Sequence, residues 1–451
     1  MGKPLAAIIL AAGEGTRMKS NLPKVLHPVG GKPMLDYALD HALEAGASKV
    51  YLVVGAHAQK VLAHAGKRVT AVVQKERRGT GHAVQSVMPG LKNFSGDLLV
   101  IYADSALLRP QTLMALSQFH RFHGGAATLL TASVAEPFGY GRIVRDRNGK
   151  IEKIIEEKDA DEVTRRLLEV NGGAYLFKTP SLREALKKIR PKNAKGELYL
   201  TDAVGEMIWR DEKVEALTVP DAQEILGVND RGQWAQAHRI LTQRRIEAHQ
   251  QNGVSFLNPS TVEIEDGVKI GRDSVIEGGV HLGGNTVIGP ACRVESGSRL
   301  VNAKLGRQVT VKSSRISDSQ IGDGSDVGPN AHVRAGSVID QDVHVGTNAE
   351  LKNAKLKRGA KAGHFSYVGD ATLGRDVNVG AGCVFANFDG MKKHQTTVGD
   401  KAFLGSNSTL VAPLKIGAGA IVGAGAVVTK NVAAKTTVMG VPAKPLEKKS
   451  K

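Results

Sequence analysis

After Gly253 the chain becomes a repeat with a period of six. Ile264, Ile270, Ile276, Leu282, Ile288, Val294 and Leu300 are spaced by six, as are Ile321, Val327, Val333, Ile339, Val345 and Leu351, and again Val398, Leu404, Leu410, Ile416, Val422 and Val428. A helix repeats its face every 3.6 residues and a flat strand every two, so a long period of six fits neither alone. It fits a parallel β-helix, in which aliphatic side chains stack inward and glycine, which often follows them here, allows each corner. A small or β-branched residue recurs four positions after the aliphatic one. The phase slips between Leu300 and Ile321 and again over residues 352–373. A larger break, FANFDGMKKHQTT (residues 385–397), predicts an insertion expelled from the coil, and loops that leave a solenoid tend to carry function. A rigid prism with flat sides also suits self-association.

Residues 1–229 follow another grammar. AAIILAAG, KVYLVVGA, VTAVVQK and GDLLVIYAD are strand-like runs ending near Gly, Asp or a charged residue. Between them Met34, Leu35, Ala38, Leu39 and Ala42 fall on one helical face. Alternating strand and helix predicts a doubly wound, mostly parallel α/β sheet, with ligands at the carboxyl ends of its strands. Residues 230–252 predict a helical linker: Asn229 or Asp230 caps it, Trp234, Ala237, Ile240 and Leu241 share one face, and Asn252-Gly253 closes it. The domain expectation is therefore 1–229, a linker 230–252, and 253–451.

Composition narrows the function classes. The longest stretches free of charge, such as residues 416–429, are too short to span a membrane as a helix. No long apolar segment followed by a cleavage site opens the chain, so no signal peptide is expected. Two cysteines, Cys292 and Cys383, cannot form a disulfide framework, which points to a reducing cytoplasm. The net charge of +17 invites a nucleic-acid reading. Yet the excess is spread evenly, apart from a tail ending LEKKSK, and only 4% of residues are aromatic. Stacking platforms for single strands are thus not expected, and a positive field drawing in small phosphorylated substrates fits as well.

The first strand runs into LAAGEGTRM (residues 10–18) and then LPKV (residues 22–25). Gly13 and Gly15 let backbone N–H groups approach a phosphate, and Arg17 and Lys24 can neutralise a triphosphate. The spacing is neither a P-loop nor a dinucleotide fingerprint. On the residues alone Asp104 also reads as a helix cap at the end of its strand, Glu156 as part of a solvated charged run, and Asn171, before two glycines, as a turn.

L-x-x-G-x-G-T-R-M followed by P-K resembles the signature of nucleotide-diphosphate-sugar pyrophosphorylases. Joined to a hexapeptide β-helix, the chain resembles the bacterial bifunctional N-acetylglucosamine-1-phosphate uridyltransferase / glucosamine-1-phosphate acetyltransferase family over nearly its whole length. QKERRGTGHAV (74–84), YAD (102–104), GYGRIV (139–144), IIEEKDA (154–160), EVNGGAY (169–175), GELYLTD (196–202) and GVNDR (227–231) follow in order. The resemblance implies a Rossmann-like nucleotidyltransferase fold followed by a left-handed parallel β-helix. It implies that Leu10, Ala11, Ala12 and Gly13 cradle a uridine nucleotide and that Gln74, Gly79 and Thr80 read uracil. Tyr102, Ala103 and Asp104 would line the same site, Gly141, Glu156 and Asn171 would contact the amino sugar, and Asp104 with Asn229 would hold Mg²⁺. Arg17 and Lys24 would stabilise charge as UTP and N-acetylglucosamine-1-phosphate react. The family pattern usually has Gly at position 103 and Thr at position 172, where this chain has Ala103 and Gly172.

For the coil, the resemblance implies that Arg334, Lys352, Tyr367 and Asn378 bind glucosamine-1-phosphate. His364, in KAGHFSY, would be the base that removes the proton of the attacking amine, a task that suits a side chain titrating near neutrality. Ala381, Asn387, Phe388, Ser406, Ala424 and Gly440 fall at acetyl-CoA positions, with Phe388 in place of the usual Tyr and Gly440 where some members carry Arg. Cys383 nearby reads as a small buried thiol rather than a nucleophile. The family further implies a homotrimer and a cytoplasmic enzyme without nucleic-acid partners. Two other readings compete: a nucleotidyltransferase whose β-helix only assembles it, and a non-catalytic nucleotide-sugar scaffold.

Overall fold

The computed structural model describes residues 4–445 and resolves into two compact units, Met1–Leu241 and Thr242–Lys451. The boundary falls inside one helix, Arg231–Gln251, which covers most of the predicted linker. Among the described residues no helix is long and apolar enough to cross a membrane. The tail LEKKSK lies outside the described residues.

The first unit is built on β1 (Leu5–Ala11), β2 (Lys49–Val54), β3 (Thr70–Val73), β4 (Asp97–Tyr102), β5 (Ala127–Ser133), β6 (Arg142–Arg145), β7 (Ile151–Ile155), β8 (Glu169–Lys178) and β9 (Val214–Thr218). The sheet order is β9-β5-β8-β4-β1-β2-β3, with the β6–β7 hairpin joined to β8. β1, β2, β3 and β4 are parallel, as are β5 and β9, while β8 runs antiparallel to both its neighbours. β1 shows why its sequence is a continuous apolar run: Ala7, Ile9 and Ala11 enter one core, and Ala6, Ile8 and Leu10 enter another. A strand covered on both faces needs no polar side. The predicted helix forms as Met34–Glu44, with Met34, Leu35, Ala38, Leu39 and Ala42 all buried. The segment Asn171-Gly172-Gly173, open to a turn reading, is instead a bulge inside β8, where the register with β5 shifts between Asn171 and Tyr175. A side chain at Gly172 would strike Leu130 O at 2.9 Å and Ile225 Cγ2 at 2.8 Å, so Ile225 fills the room a larger residue would need.

The second unit is a coil with three sheet faces of twelve, ten and nine strands. Ile264 lies opposite Leu282 and Ile270 opposite Ile288, eighteen positions per turn. Every ladder residue named above is buried in one continuous core. The small or β-branched residues four positions on are buried at the corners, as Val280, Ala331 and Val343 are, and where they are serines they satisfy corner carbonyls: Ser274 donates to Gly289 O at 3.0 Å, Ser325 to Asp340 O at 2.8 Å, and Ser337 to Arg334 O at 2.8 Å. The phase slips are shortened turns. Leu300 pairs with Ile316 and Leu305 with Ile321, sixteen positions apart, and Leu351 with Val368, seventeen apart. The expelled segment is narrower than 385–397. Phe385 is fully buried in strand Val384–Ala386, and the coil resumes at Thr396–Val398, so only residues 387–395 leave it.

Candidate functional site

A cavity of about 320 Å³ opens at the carboxyl ends of β1 and β4, where such sheets place their ligands. Leu10, Ala11, Ala12 and Gly13 supply one wall, Gln74, Gly79 and Thr80 another, and Lys24, Tyr102 and Asp104 the floor. Gly15, at φ 66°, lets Lys24 pass: a Cβ there would fall 2.5 Å from Lys24 Cβ. The Lys24 ammonium donates to Asp104 Oδ2 and, at 3.1 Å, to Asn229 Oδ1. The start of the long helix holds Asn229 in position. Gln233 N–H donates to Asp230 Oδ1 at 2.9 Å, and Gln233 Oε1 accepts from Asn229 N–H at 2.8 Å, so Gln233 ties both residues that precede the helix. Asp230 is thus the cap and Asn229 is left for the site.

Opposite, Gln74 is buried, and its Nε2 lies 3.2 Å from Gly79 O and 3.0 Å from His82 Nδ1. Gly79 has φ 106°, and a side chain there would meet Leu198 O at 2.4 Å. The GELYLTD segment therefore lies tightly against the GTG turn. Gly81 N–H donates to Leu198 O at 2.7 Å, and Leu200 N–H to Thr80 Oγ1 at 3.0 Å. The next residue, Thr201, donates to Glu156 Oε1 at 3.0 Å.

Glu156 belongs to a neighbouring cluster rather than to the cavity wall. A Cβ at Gly141 would lie 3.5 Å from both its carboxylate oxygens, and Asn171 N–H donates to Gly141 O at 2.8 Å. Asn171 Nδ2 also donates to Tyr175 Oη at 2.6 Å. Burial raises the Glu156 carboxyl above its ordinary range, while the Thr201 hydrogen bond and Lys195 oppose that rise. Burial, then the Glu156 charge, pushes the Tyr102 phenol well up, so Tyr102 links the cavity to the cluster. Asp202 is pushed up to about 6, chiefly by burial. Of the remaining residues, Ala103 is buried in the apolar core, and Arg17 is exposed on the turn Thr16–Met18 without lining the cavity. Sequence reasoning gave no role to Val25, Arg77, Ala83 and Glu197, which do line it, nor to Thr201. The signal for Arg77, Glu197 and Thr201 lies in QKERRGTG and GELYLTD, motifs read for order and not for every side chain.

In the coil, His364, Ala381, Ser406 and Ala424 occupy equivalent corner positions of successive turns. Gly382 N–H donates to His364 O, Asn407 N–H to Ala381 O, and Gly425 N–H to Ser406 O. Gly440 continues that edge, its carbonyl accepting from Val427 N–H at 3.1 Å. Arg334, Lys352 and Tyr367 stand on the adjoining face, where Glu350 pairs with Tyr367 and Lys352 with Gly369. A Cβ at Gly369 would lie 2.5 Å from Tyr367 Oη and 2.7 Å from Asn387 Nδ2, so this glycine lets phenol and amide meet. Arg334 is held by Glu350 at 2.7 Å, and the neighbouring Lys393 ammonium is the main cause that depresses the Lys352 ammonium. Asn378 lies on the other face flanking the His364 corner, paired with Lys361 and Phe403. His364 and Phe388 are exposed, whereas Cys383 is buried and its thiol is pushed up to about 11 by that burial. A raised thiol is a poor nucleophile.

Fold and site together define a nucleotidyltransferase joined to a hexapeptide-repeat transferase coil. The MobA-like NTP transferase domain matches residues 7–172, the GMPPB C-terminal domain residues 260–357, and six repeats of the bacterial transferase hexapeptide residues 395–430. The bifunctional protein GlmU of Enterococcus faecalis is 46% identical over 91% of this chain and 90% of its own, and that of Listeria monocytogenes serotype 4b is 44% identical over 94% and 93%. A solved UDP-glucose pyrophosphorylase complexed with UDP-glucose aligns with 54% of this chain and 100% of its own at 20% identity and a TM-score of 0.44, a likeness too loose to bear on function. The chain belongs to the GlmU family of bifunctional uridyl- and acetyltransferases, and its coil is of the left-handed hexapeptide type.

Proposed function

We propose that the first unit couples UTP to N-acetylglucosamine-1-phosphate, releasing pyrophosphate, and that the coil first makes that sugar phosphate by acetylating glucosamine-1-phosphate with acetyl-CoA. The observation that carries the reading is the convergence of Lys24, Asp104 and Asn229 on a cavity edged by the glycine-rich loop. Asp104 and Asn229 suit Mg²⁺: two oxygen donors already face one cationic group, leaving its other positions to water and phosphate. Bound there, Mg²⁺ would draw charge from the triphosphate. In this reading Lys24 adds positive charge beside the α-phosphate, backbone N–H groups of residues 11–13 hold the chain of phosphates, and Gln74 with Gly79 pairs with the uracil edge. Glu156, Gly141 and Asn171 orient the sugar phosphate so that its oxygen attacks in line.

In the coil, His364 takes the proton from the amine of glucosamine-1-phosphate. The nitrogen attacks the thioester carbonyl, the C–S bond breaks, and the proton held by His364 passes to the sulfur, so coenzyme A leaves as its thiol. Arg334 and Lys352 hold the phosphate. Asn378, set on a different face from Tyr367, supports an acetyl site completed between copies, and hence a homotrimer of the 47.8 kDa chain. Unpaired Cys292 and Cys383 support a cytoplasmic setting. Pyrophosphate release from UTP plus N-acetylglucosamine-1-phosphate, and free thiol from acetyl-CoA plus glucosamine-1-phosphate, test the two halves. A chelator should abolish the first and spare the second; thiol release that requires metal, or pyrophosphate release that ignores it, would contradict this assignment.

A further inference from the structure

The cavity has two cations in its lining, Lys24 and Arg77. Lys24 is engaged by Asp104 and Asn229. Arg77 pairs across the mouth with Glu14, which sits between Gly13 and Gly15 on the loop assigned to the phosphates. Both side chains are part-exposed, at 48% and 39%, so the pair is weakly held and exchangeable. A lone carboxylate next to a phosphate cradle would repel a polyanion, and Arg77 is what offsets it in the free protein.

We propose that Arg77 is a nucleotide-binding residue that exchanges Glu14 for the phosphates of an incoming nucleoside triphosphate. A triphosphate presents several anionic oxygens in place of one carboxylate, and a guanidinium grips such groups through paired N–H bonds. The exchange passes Arg77 from the Glu14 carboxylate to the bound phosphates, so that the direct tie between residues 74–80 and the loop becomes one bridged by the nucleotide. The inference rests on the reading of this cavity as the UTP site.

The two partners should then shift UTP affinity in opposite directions, which a pair that merely braces the fold would not do. Arg77→Gln should weaken UTP binding, measured by titration calorimetry on the full chain with Mg²⁺, by about five- to tenfold. Glu14→Gln should tighten it by about two- to threefold, since Arg77 loses its competitor and the phosphates lose a repelling neighbour. Both differences should shrink as salt rises. If the wild type binds no UTP, the cavity assignment fails and the exchange with it. If the wild type binds UTP but the two variants move affinity in the same direction, or Arg77→Gln leaves it unchanged, the exchange alone is refuted.

Discussion

Thr201 is where two parts of the nucleotide-sugar site meet. Its neighbour Leu200 donates to Thr80 in the wall proposed to read uracil, while its own hydroxyl donates to Glu156 in the cluster proposed to hold the sugar. Thr201→Val should raise the KM for N-acetylglucosamine-1-phosphate about tenfold, the scale of one hydrogen bond to a buried carboxylate, and Thr201→Ser should restore it. Steady-state kinetics at fixed UTP decide this; a change confined to the KM for UTP would contradict it. Asp202 gives a pH prediction. Its folded pKa, about 6, lies above the ordinary 3.8, so the stability its protonated form contributes is complete below about pH 4 and lost as pH rises through 6. Asp202→Asn cannot ionise and keeps the acceptor for Tyr199 N–H. It should melt about 2–4 °C above the wild type at pH 7.5 and level with it at pH 4. A gain that is the same at both pH values would place its cause elsewhere.

At the scale of elements, the coil is held by its inward ladder. Leu404 is fully buried and Phe403, one residue before it on the same strand, is 48% exposed. Leu404→Ala should cost about 2–4 kcal/mol in denaturant unfolding and Phe403→Ala under about 1 kcal/mol; equal losses would contradict the inward stacking. This ladder is legible in the sequence because a side chain that must point inward once per face leaves a fixed spacing. The slipped turns are harder to read, since Leu305 and Ile316 keep the core filled while the spacing shortens to five. β8 escapes a pattern reading because its paired glycines look like a turn, and only the crowding by Leu130, Ile225 and Tyr102 shows why a strand needs them. The limits of the insertion are likewise invisible in sequence, because Phe385 looks like part of a polar-aromatic loop until its burial is seen. The cavity residues on the glycine-rich loop stand out by motif. Arg77 and Glu197 do not, because a charged side chain among other charges carries no signal until the chain folds it against a wall.

At the scale of the whole molecule, the two chemistries lie in different units, each with its own core. The proposed nucleotide site draws on loops at the carboxyl ends of the sheet strands, and the proposed acetyl site on one corner edge of the coil. Two independent units predict two independently removable activities. The direct measurement is to assay both half-reactions in the wild type, in Asp104→Asn and in His364→Ala. The account predicts that Asp104→Asn loses pyrophosphate release by about a hundredfold or more while thiol release persists, and that His364→Ala does the reverse. A wild type that releases only pyrophosphate, or a single substitution that abolishes both activities in a folded protein, would contradict it.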